Sequence, residues 1–352
     1  MPVEKYNFCT LFDSGYLSRG LALYYSLEEC CDNFHLYIFA FDDNCFKILS
    51  SLQLEKATVI SLQQFEDEEL LKVKPTRNKA EYCWTCAPST IWYSIQCFEL
   101  NNCTYIDADL YFYNSPKIIF EEIGDNSVAI TKHSFVNKFD DILVGQYCVQ
   151  FNYFKNDKVG HEALKWWRDS CIDWCYSYYD KDGKYADQKY INEFVTRFPK
   201  VHVIQHRGAG VAQWNIYDYL LTENKTLRFK EKKGSNEFSL IFYHYHYTRY
   251  EFKDGILTLK AFKVRIPDSI INRLYLPYVE KLVRLNALVI NNGNEINIKK
   301  RRSKISISLL AFQYVKLKLQ RFSVIRFLYS QLILKPGFKT YKGSQDKKSS
   351  FD

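Results

Sequence analysis

Short apolar runs alternate with segments of helical period along the first 130 residues. Tyr6-Asn-Phe-Cys-Thr-Leu-Phe12 reads as a strand, and Tyr16 to Glu29, with Leu21, Leu23 and Leu27, as a helix. Leu36 to Phe41 is strand-like, Asp43 to Leu52 helical, and Thr58 to Ser61 a strand again. Pro88 to Leu100 predicts a helix, followed by the buried strand Cys103 to Ile106 and another at Val128 to Thr131. Strands follow at Cys148 to Phe154, Val201 to Gln205, Leu240 to Tyr247 and Ile256 to Phe262, and helices at Gly160 to Tyr178 and Ser269 to Leu288.

This β-α-β-α-β order with short connections predicts an open α/β sheet, mostly parallel and covered by helices on both faces. Such sheets bind ligands beyond the carboxyl ends of their strands. The residues at those ends are Asp13, Asp42-Asp43, Asp107-Ala108-Asp109, His133, His206 and His244.

Charge divides unevenly. The net of +8 over 352 residues arises from the last segment: residues 299–352 carry 14 Lys/Arg and two acids, leaving 34 basic and 38 acidic side chains elsewhere. A main body of slightly negative charge has no basic face for nucleic acid. The tail opens with Lys299-Lys300-Arg301-Arg302-Ser303-Lys304 and goes on to mix Leu309, Leu310, Phe312 and Phe322 with Lys316, Lys318 and Arg321. A helix of that composition can lie on an anionic membrane surface or pack on a partner. The sequence beyond Pro336-Gly337 turns polar and is expected to fray.

No run approaches the length of an apolar membrane span. Glu4, Lys5, Asp13 and Arg19 interrupt the region where an export signal would need an apolar core. The 11 cysteines then read as reduced thiols, Cys83 and Cys86 included. The expected location is the cytoplasm, with the tail on the inner face of the plasma membrane.

Asp107-Ala108-Asp109 is the strongest local chemical signal. It follows the buried Tyr105-Ile106 and precedes Leu110-Tyr-Phe112. Two carboxylates between apolar runs repel and pay for lost hydration unless a cation neutralises them. Mg²⁺ or Mn²⁺ accepts such oxygen ligands and keeps positions open for a diphosphate. Solvated loop aspartates are the plainer alternative.

The order Asp13, Tyr-Ile-Asp107-Ala-Asp109-Leu-Tyr, Asp187-Gln188 and strand-borne His244 resembles the GT-A fold nucleotide-sugar glycosyltransferases. Within them it is similar to glycosyltransferase family 8 and its family 8-like bacterial relatives, over about residues 6–250. Glu81 to Ser89 and His206-Arg-Gly-Ala-Gly-Val-Ala-Gln-Trp-Asn215 look like the bacterial branch. The resemblance implies a catalytic domain over residues 1–255, a strand and helix extension over 256–298 and the basic tail over 299–352.

It also implies roles. Asp107 and Asp109 would hold the cation with a histidine from a His-aromatic-x-Gly pattern; His244 fits, with Tyr247 in place of the glycine and His246 as competitor. Thr10, Asp13 and Tyr16 would seat the nucleoside of a UDP-sugar, although Asp13 also suits a helix N-cap. Asp187 and Gln188 would stand beside the donor sugar, although Asp187 also suits a helix cap after the turn Lys181-Asp-Gly-Lys184, and Ala108, Gly208 and Gly210 beside the nucleotide, the two glycines being equally suited to a tight turn. Ser89 or Thr90 replaces a basic residue of the family, and Cys148 an asparagine. The implied activity is metal-dependent transfer to a saccharide or lipid-linked acceptor with retention, in bacterial surface polysaccharide synthesis. The departures leave open a membrane-bound scaffold that keeps the fold without turnover. A nucleotidyltransferase lacks its basic, glycine-rich first loop here, and a dehydrogenase its G-x-G-x-x-G. Asp107 and Asp109 are too close in sequence to flank a scissile glycoside.

Overall fold

A computed structural model of the chain describes residues 5–136, 138–222, 227–253, 256–260, 266–291 and 339–342. The chain falls into two compact units, residues 1–246 with 268–295 and residues 247–267 with 296–352.

In the first unit the main sheet comprises β1 (Tyr6–Phe12), β2 (Phe34–Ala40), β3 (Ala57–Ser61), β4 (Asn102–Ile106), β6 (Val128–Lys132), β7 (Tyr147–Lys155) and β8 (Val201–Val203), after a short β5 (Leu110–Phe112) that belongs elsewhere. Their order is β3-β2-β1-β4-β7-β6-β8. The pairs β3-β2, β2-β1, β1-β4 and β6-β8 are parallel, while β7 runs antiparallel to both neighbours. This is the expected mostly parallel α/β sheet, interrupted by one reversed strand.

A smaller sheet, β5-β13-β9, joins β9 (Ala209–Ala212) and β13 (Phe242–His244) to β5, and a meander of β10 (Tyr219–Leu221), β11 (Arg228–Glu231) and β12 (Glu237–Ser239) lies between the last two in sequence. The chain passes from the large sheet to the small one at Asp107-Ala108-Asp109, between β4 and β5. Those residues therefore sit at a junction rather than in a solvated loop.

Local sequence explains the helix starts. Asn78 caps helix Lys79–Cys97 by accepting from the Ala80 and Glu81 amides, while Glu81 accepts from the Asn78 amide at 2.9 Å. This reciprocal box starts the helix before Pro88, which sits inside it instead of opening it as expected. Asp157 caps helix Lys158–Asp173 and also accepts from Ser127 Oγ at 2.8 Å. That helix stops at Asp173, short of the expected Tyr178, because Trp174 is extended.

Both faces of the sheet are apolar. Cys9, Leu11, Tyr37 and Phe39 pack under helix Lys79–Cys97, and Phe154 stacks on the fully buried Trp167. Helix Leu276–Asn291 packs on helix Leu17–Cys30, and Lys281 Nζ lies 2.6 Å from Glu29 Oε1.

In the second unit β14 (Arg249–Lys253), β15 (Ile256–Lys260) and β16 (Lys339–Lys342) form an antiparallel sheet. Residues 339–342, expected to fray, are a paired strand there. The rest of the basic segment 299–352 lies outside the described residues. Among the described residues no helix is long and apolar enough to cross a membrane. All 11 cysteines are free thiols.

Candidate functional site

The site lies where the two sheets meet. β13 pairs with β5 so that His244 stands opposite Leu110, the residue after Asp109. That register brings His244 Nε2 to 3.0 Å from Asp109 Oδ1 and 3.6 Å from Asp107 Oδ2. Asp109, His244 and His246 offer ligand atoms all within 4.8 Å of one another. The expected ligand His244 and its competitor His246 are thus gathered together, with Asp107 against His244. His246 is half-buried, His244 only 3% exposed.

Gln150 of β7, which sequence reading missed, ties this cluster to the main sheet. Its backbone carbonyl accepts from the Asp107 amide at 3.1 Å, and its side-chain Oε1 accepts from His244 Nδ1 at 2.9 Å. Gln150 Nε2 in turn donates to Thr131 Oγ1 at 3.2 Å. The amide orientation places a proton on His244 Nδ1 and points His244 Nε2 at the carboxylates. The edge of Trp214 packs on both histidines, with ring centroids at 5.2 and 5.8 Å.

Electrostatics follow from this burial. Burial alone would lower the His244 pKa, but the Asp109 carboxylate, with Cys148 and Asp107, raises it well above the usual imidazole value. Asp109 is held down at about 2; burial would raise it, and His244 outweighs burial. Burial pushes Asp107 up to about 6.

These residues fit a divalent cation. His244 Nε2 is buried without an aligned hydrogen-bond partner, although two carboxylate oxygens are close to it. Oxygen and imidazole donors converging on one point, with one imidazole braced from behind by an amide, suit Mn²⁺ or Mg²⁺.

Asp187 is 6% exposed, and its carboxyl is raised to about 8, by burial first and the Asp107 charge second. It stands at the N-cap of helix Gln188–Ile191 but makes no capping hydrogen bond, so the plain capping role does not apply. Its carbonyl accepts from Trp167 Nε1 at 2.9 Å, and Ala186 before it holds φ at 49°, a left-handed conformation costly for a residue with a Cβ. Gln188 Nε2 donates to the Val144 carbonyl at 3.2 Å.

Asp13 does cap: Oδ1 accepts from the Tyr16 amide at 3.1 Å. Its Oδ2 lies 2.5 Å from Lys79 Nζ. The helix that seemed to lack a basic residue therefore supplies one from its first position. The Asn78/Glu81 capping box, had it been read as the helix start, would have pointed to Lys79. Thr10 Oγ1 and Ser89 Oγ are buried without partners, and Thr90 Oγ1 donates to the Ala87 carbonyl at 2.7 Å.

Ala108 is buried at the sheet junction. Gly208 meets protein backbone: a Cβ there would fall 2.0 Å from the Ser239 carbonyl oxygen. Gly210 has φ +115°, and its Cβ would come 2.8 Å from Gln150 Nε2. His133 is buried with Nδ1 donating to the Gly145 carbonyl at 2.9 Å, and His206 is anchored through its amide to Glu122. Tyr247, in place of the expected glycine, has φ 55°, a region glycine enters without strain.

No family model matches the chain. Uncharacterized protein YfnD of Bacillus subtilis (strain 168) is 31% identical over 297 residues, 80% of this chain and 90% of YfnD. Uncharacterized protein YfnF of the same organism is 33% identical over 247 residues, 68% of this chain and 80% of YfnF. The chain belongs to the family that includes YfnD and YfnF.

Similar solved structures include glycosyltransferases. Apo GlyE of Streptococcus pneumoniae TIGR4 has 13% identity and a TM-score of 0.48, covering 83% of this chain and 65% of GlyE. The galactosyltransferase LgtC, with donor and acceptor sugar analogues, has 10% identity and a TM-score of 0.46 over 79% of this chain and 95% of LgtC. Mouse xyloside xylosyltransferase 1 has 10% identity and a TM-score of 0.44 over 68% of this chain and 97% of its own.

Proposed function

We propose that the chain is a metal-dependent glycosyltransferase that moves a sugar from a nucleotide-diphosphate sugar, a UDP-sugar, to a saccharide or lipid-linked acceptor. The observation that carries this reading is the convergence of Asp107, Asp109 and His244 at the carboxyl edge of the sheet, with His244 Nε2 buried against both carboxylates. The resemblance of the sequence to GT-A glycosyltransferases supports it from residues 6–250.

Asp107, Asp109 and His244 would hold Mn²⁺ or Mg²⁺, with His246 as the competing imidazole. The bound cation would offset charge that develops on the departing diphosphate. Tyr16 would stack on the base, with Thr10 and Asp13 at the nucleoside, and Ala108 and Gly210 would give the nucleotide close approach to backbone. Gly208 serves the loop that brings Gly210 there. Asp187, whose buried carboxyl is raised to about 8 in the metal-free chain, would hydrogen-bond a donor-sugar hydroxyl, with Gln188 beside it. Retention of configuration and a role in bacterial surface polysaccharide synthesis belong to the same reading.

The basic segment from Lys299 to Lys304 would attract anionic lipid, about 1 kcal/mol for each basic residue near the surface. Full-length protein in which those five basic residues are glutamine should lose binding to phosphatidylserine vesicles; equal binding removes the membrane from the proposal.

The central test is purified full-length protein with Mn²⁺ and a panel of nucleotide sugars. Slow hydrolysis of one donor, abolished by EDTA and by Asp109→Ala, is the expected result. Failure to bind any nucleotide in the presence of Mn²⁺ would overturn the transferase reading.

A further inference from the structure

Helix Leu276–Asn291 lies beyond the stretch that carries the sequence resemblance, yet it belongs to the same compact unit as the site. Its Tyr278 is 2% exposed. The ring stacks on Tyr245, centroids 3.7 Å apart and planes at 8°, with Tyr111 edge-on at 5.8 Å. Tyr245 is the residue between the two clustered histidines, and its amide donates to the Asp109 carbonyl at 2.9 Å. Tyr278 is thus one side chain removed from the backbone that sets the candidate metal site.

The neighbouring phenols are satisfied. Tyr245 is hydrogen-bonded to Tyr113 and donates to the Leu274 carbonyl at 3.0 Å, and the Tyr243 and Tyr275 hydroxyls lie 2.9 Å apart. The Tyr278 hydroxyl alone in this group is buried with no hydrogen-bond partner. Phenylalanine would pack as well and avoid an unmade hydrogen bond, so packing does not explain the hydroxyl.

Its surroundings do. Arg19, on the facing helix, holds its guanidinium over the Tyr16 ring at 4.7 Å from the centroid. Burial keeps the Tyr278 phenol well above its usual pKa; of the nearby charges, Arg19 draws it down while Asp109 and Tyr16 push it up. The same Arg19 charge also reaches Asp109. The helices that carry Arg19 and Tyr278 pack on each other, and the Tyr245 amide beneath the Tyr278 ring donates to the Asp109 carbonyl, so a hydroxyl with a proton to donate, a guanidinium and a candidate metal carboxylate share one locality.

We propose that Tyr278 and Arg19 form a phosphate-binding pair for a nucleoside diphosphate, the hydroxyl donating to one phosphate oxygen and the guanidinium pairing with the same group. Such charge-assisted contacts are strong and directional. The proposal rests on the nucleotide-sugar reading of the site and adds to it a contact supplied from outside the resembling region.

The test uses full-length protein with Mn²⁺ and three probes: UDP, inorganic pyrophosphate and uridine. Tyr278→Phe should bind UDP and pyrophosphate about tenfold more weakly, the loss of roughly one hydrogen bond to a charged group. Its affinity for uridine should not change. Because the hydroxyl has no partner without ligand, the apo variant should melt no lower than wild type. Arg19→Gln should weaken UDP and pyrophosphate likewise, and the uridine control is read on Tyr278→Phe because the Arg19 guanidinium also lies over the Tyr16 ring. If wild type binds UDP and both variants bind it equally well, the pair is overturned and the nucleotide-sugar reading stands. If wild type binds neither UDP nor pyrophosphate, both are overturned.

Discussion

Gln150 accepts a hydrogen bond from His244 Nδ1 at 2.9 Å while its own carbonyl holds the Asp107 amide at 3.1 Å. One residue on the reversed strand β7 thereby fixes a histidine and an aspartate that arrive from different sheets. Its side chain selects the His244 tautomer, and its backbone sets where the chain turns after β4. A ligand braced in this way keeps its orientation before the ion arrives.

Gln150→Leu should accordingly weaken Mn²⁺ binding by about tenfold to a hundredfold, the range for lost outer-sphere partners, while the protein stays folded. Calorimetric titration of the metal into full-length protein reads the change. An unchanged affinity would mean that His244 is held by packing against Trp214 alone.

His244→Ala should cost more Mn²⁺ affinity than His246→Ala. The first histidine is buried, faces both carboxylates and is braced by Gln150; the second is half-buried at the edge of the cluster. The reverse ranking in the same titration would transfer the ligand role to His246.

The central features of this site were legible in the sequence because they are local. An acidic pair between apolar runs needs a neutralising partner wherever it folds, and His244 ends a visible aromatic strand. What remained hidden depended on pairing across the chain. Gln150 looks like any polar residue in a buried strand until β7 is set against β4. Lys79 reached Asp13 only once the capping box at Asn78 and Glu81, rather than Pro88, was the helix start. The strand expected from Leu240 to Tyr247 shrank to Phe242–His244, since Tyr247 turns left-handed. Tyr278 offered no signal at all: its meaning lies in a missing hydrogen bond, which a sequence does not display.

Gly210→Ala should link stability to the site. The substitution forces a Cβ into a positive-φ position and against Gln150 Nε2 at 2.8 Å. The strain alone is worth roughly 1–3 kcal/mol, and the displaced amide should let His244 rotate. Urea denaturation should show the stability loss, and metal titration a drop resembling that of Gln150→Leu. In the double variant the two metal effects should not add, because both act through one side chain. Full additivity would separate Gly210 from the metal site.

Asp187 should impose a pH dependence on stability in metal-free protein. Its carboxyl is raised to about 8 in the fold from an ordinary value of 3.8. Between those limits the folded chain keeps a proton that the unfolded chain has released. Stability therefore falls as pH rises through that window, and the penalty is complete above about pH 8 and absent below the ordinary carboxyl pKa. Asp187→Asn removes the ionisation and keeps nearly the same side-chain shape. The variant should gain on wild type progressively from pH 5 to pH 9, as measured by urea denaturation with EDTA present. Asp107, also raised, titrates in both proteins, so its own contribution largely cancels in the comparison. The same variant should lose donor-sugar turnover at neutral pH while binding UDP normally, because the side chain faces the sugar and not the base in the proposed site. A stability difference that stays flat across the pH range would show that Asp187 is ionised in the fold and works as an anion, reversing its assigned part.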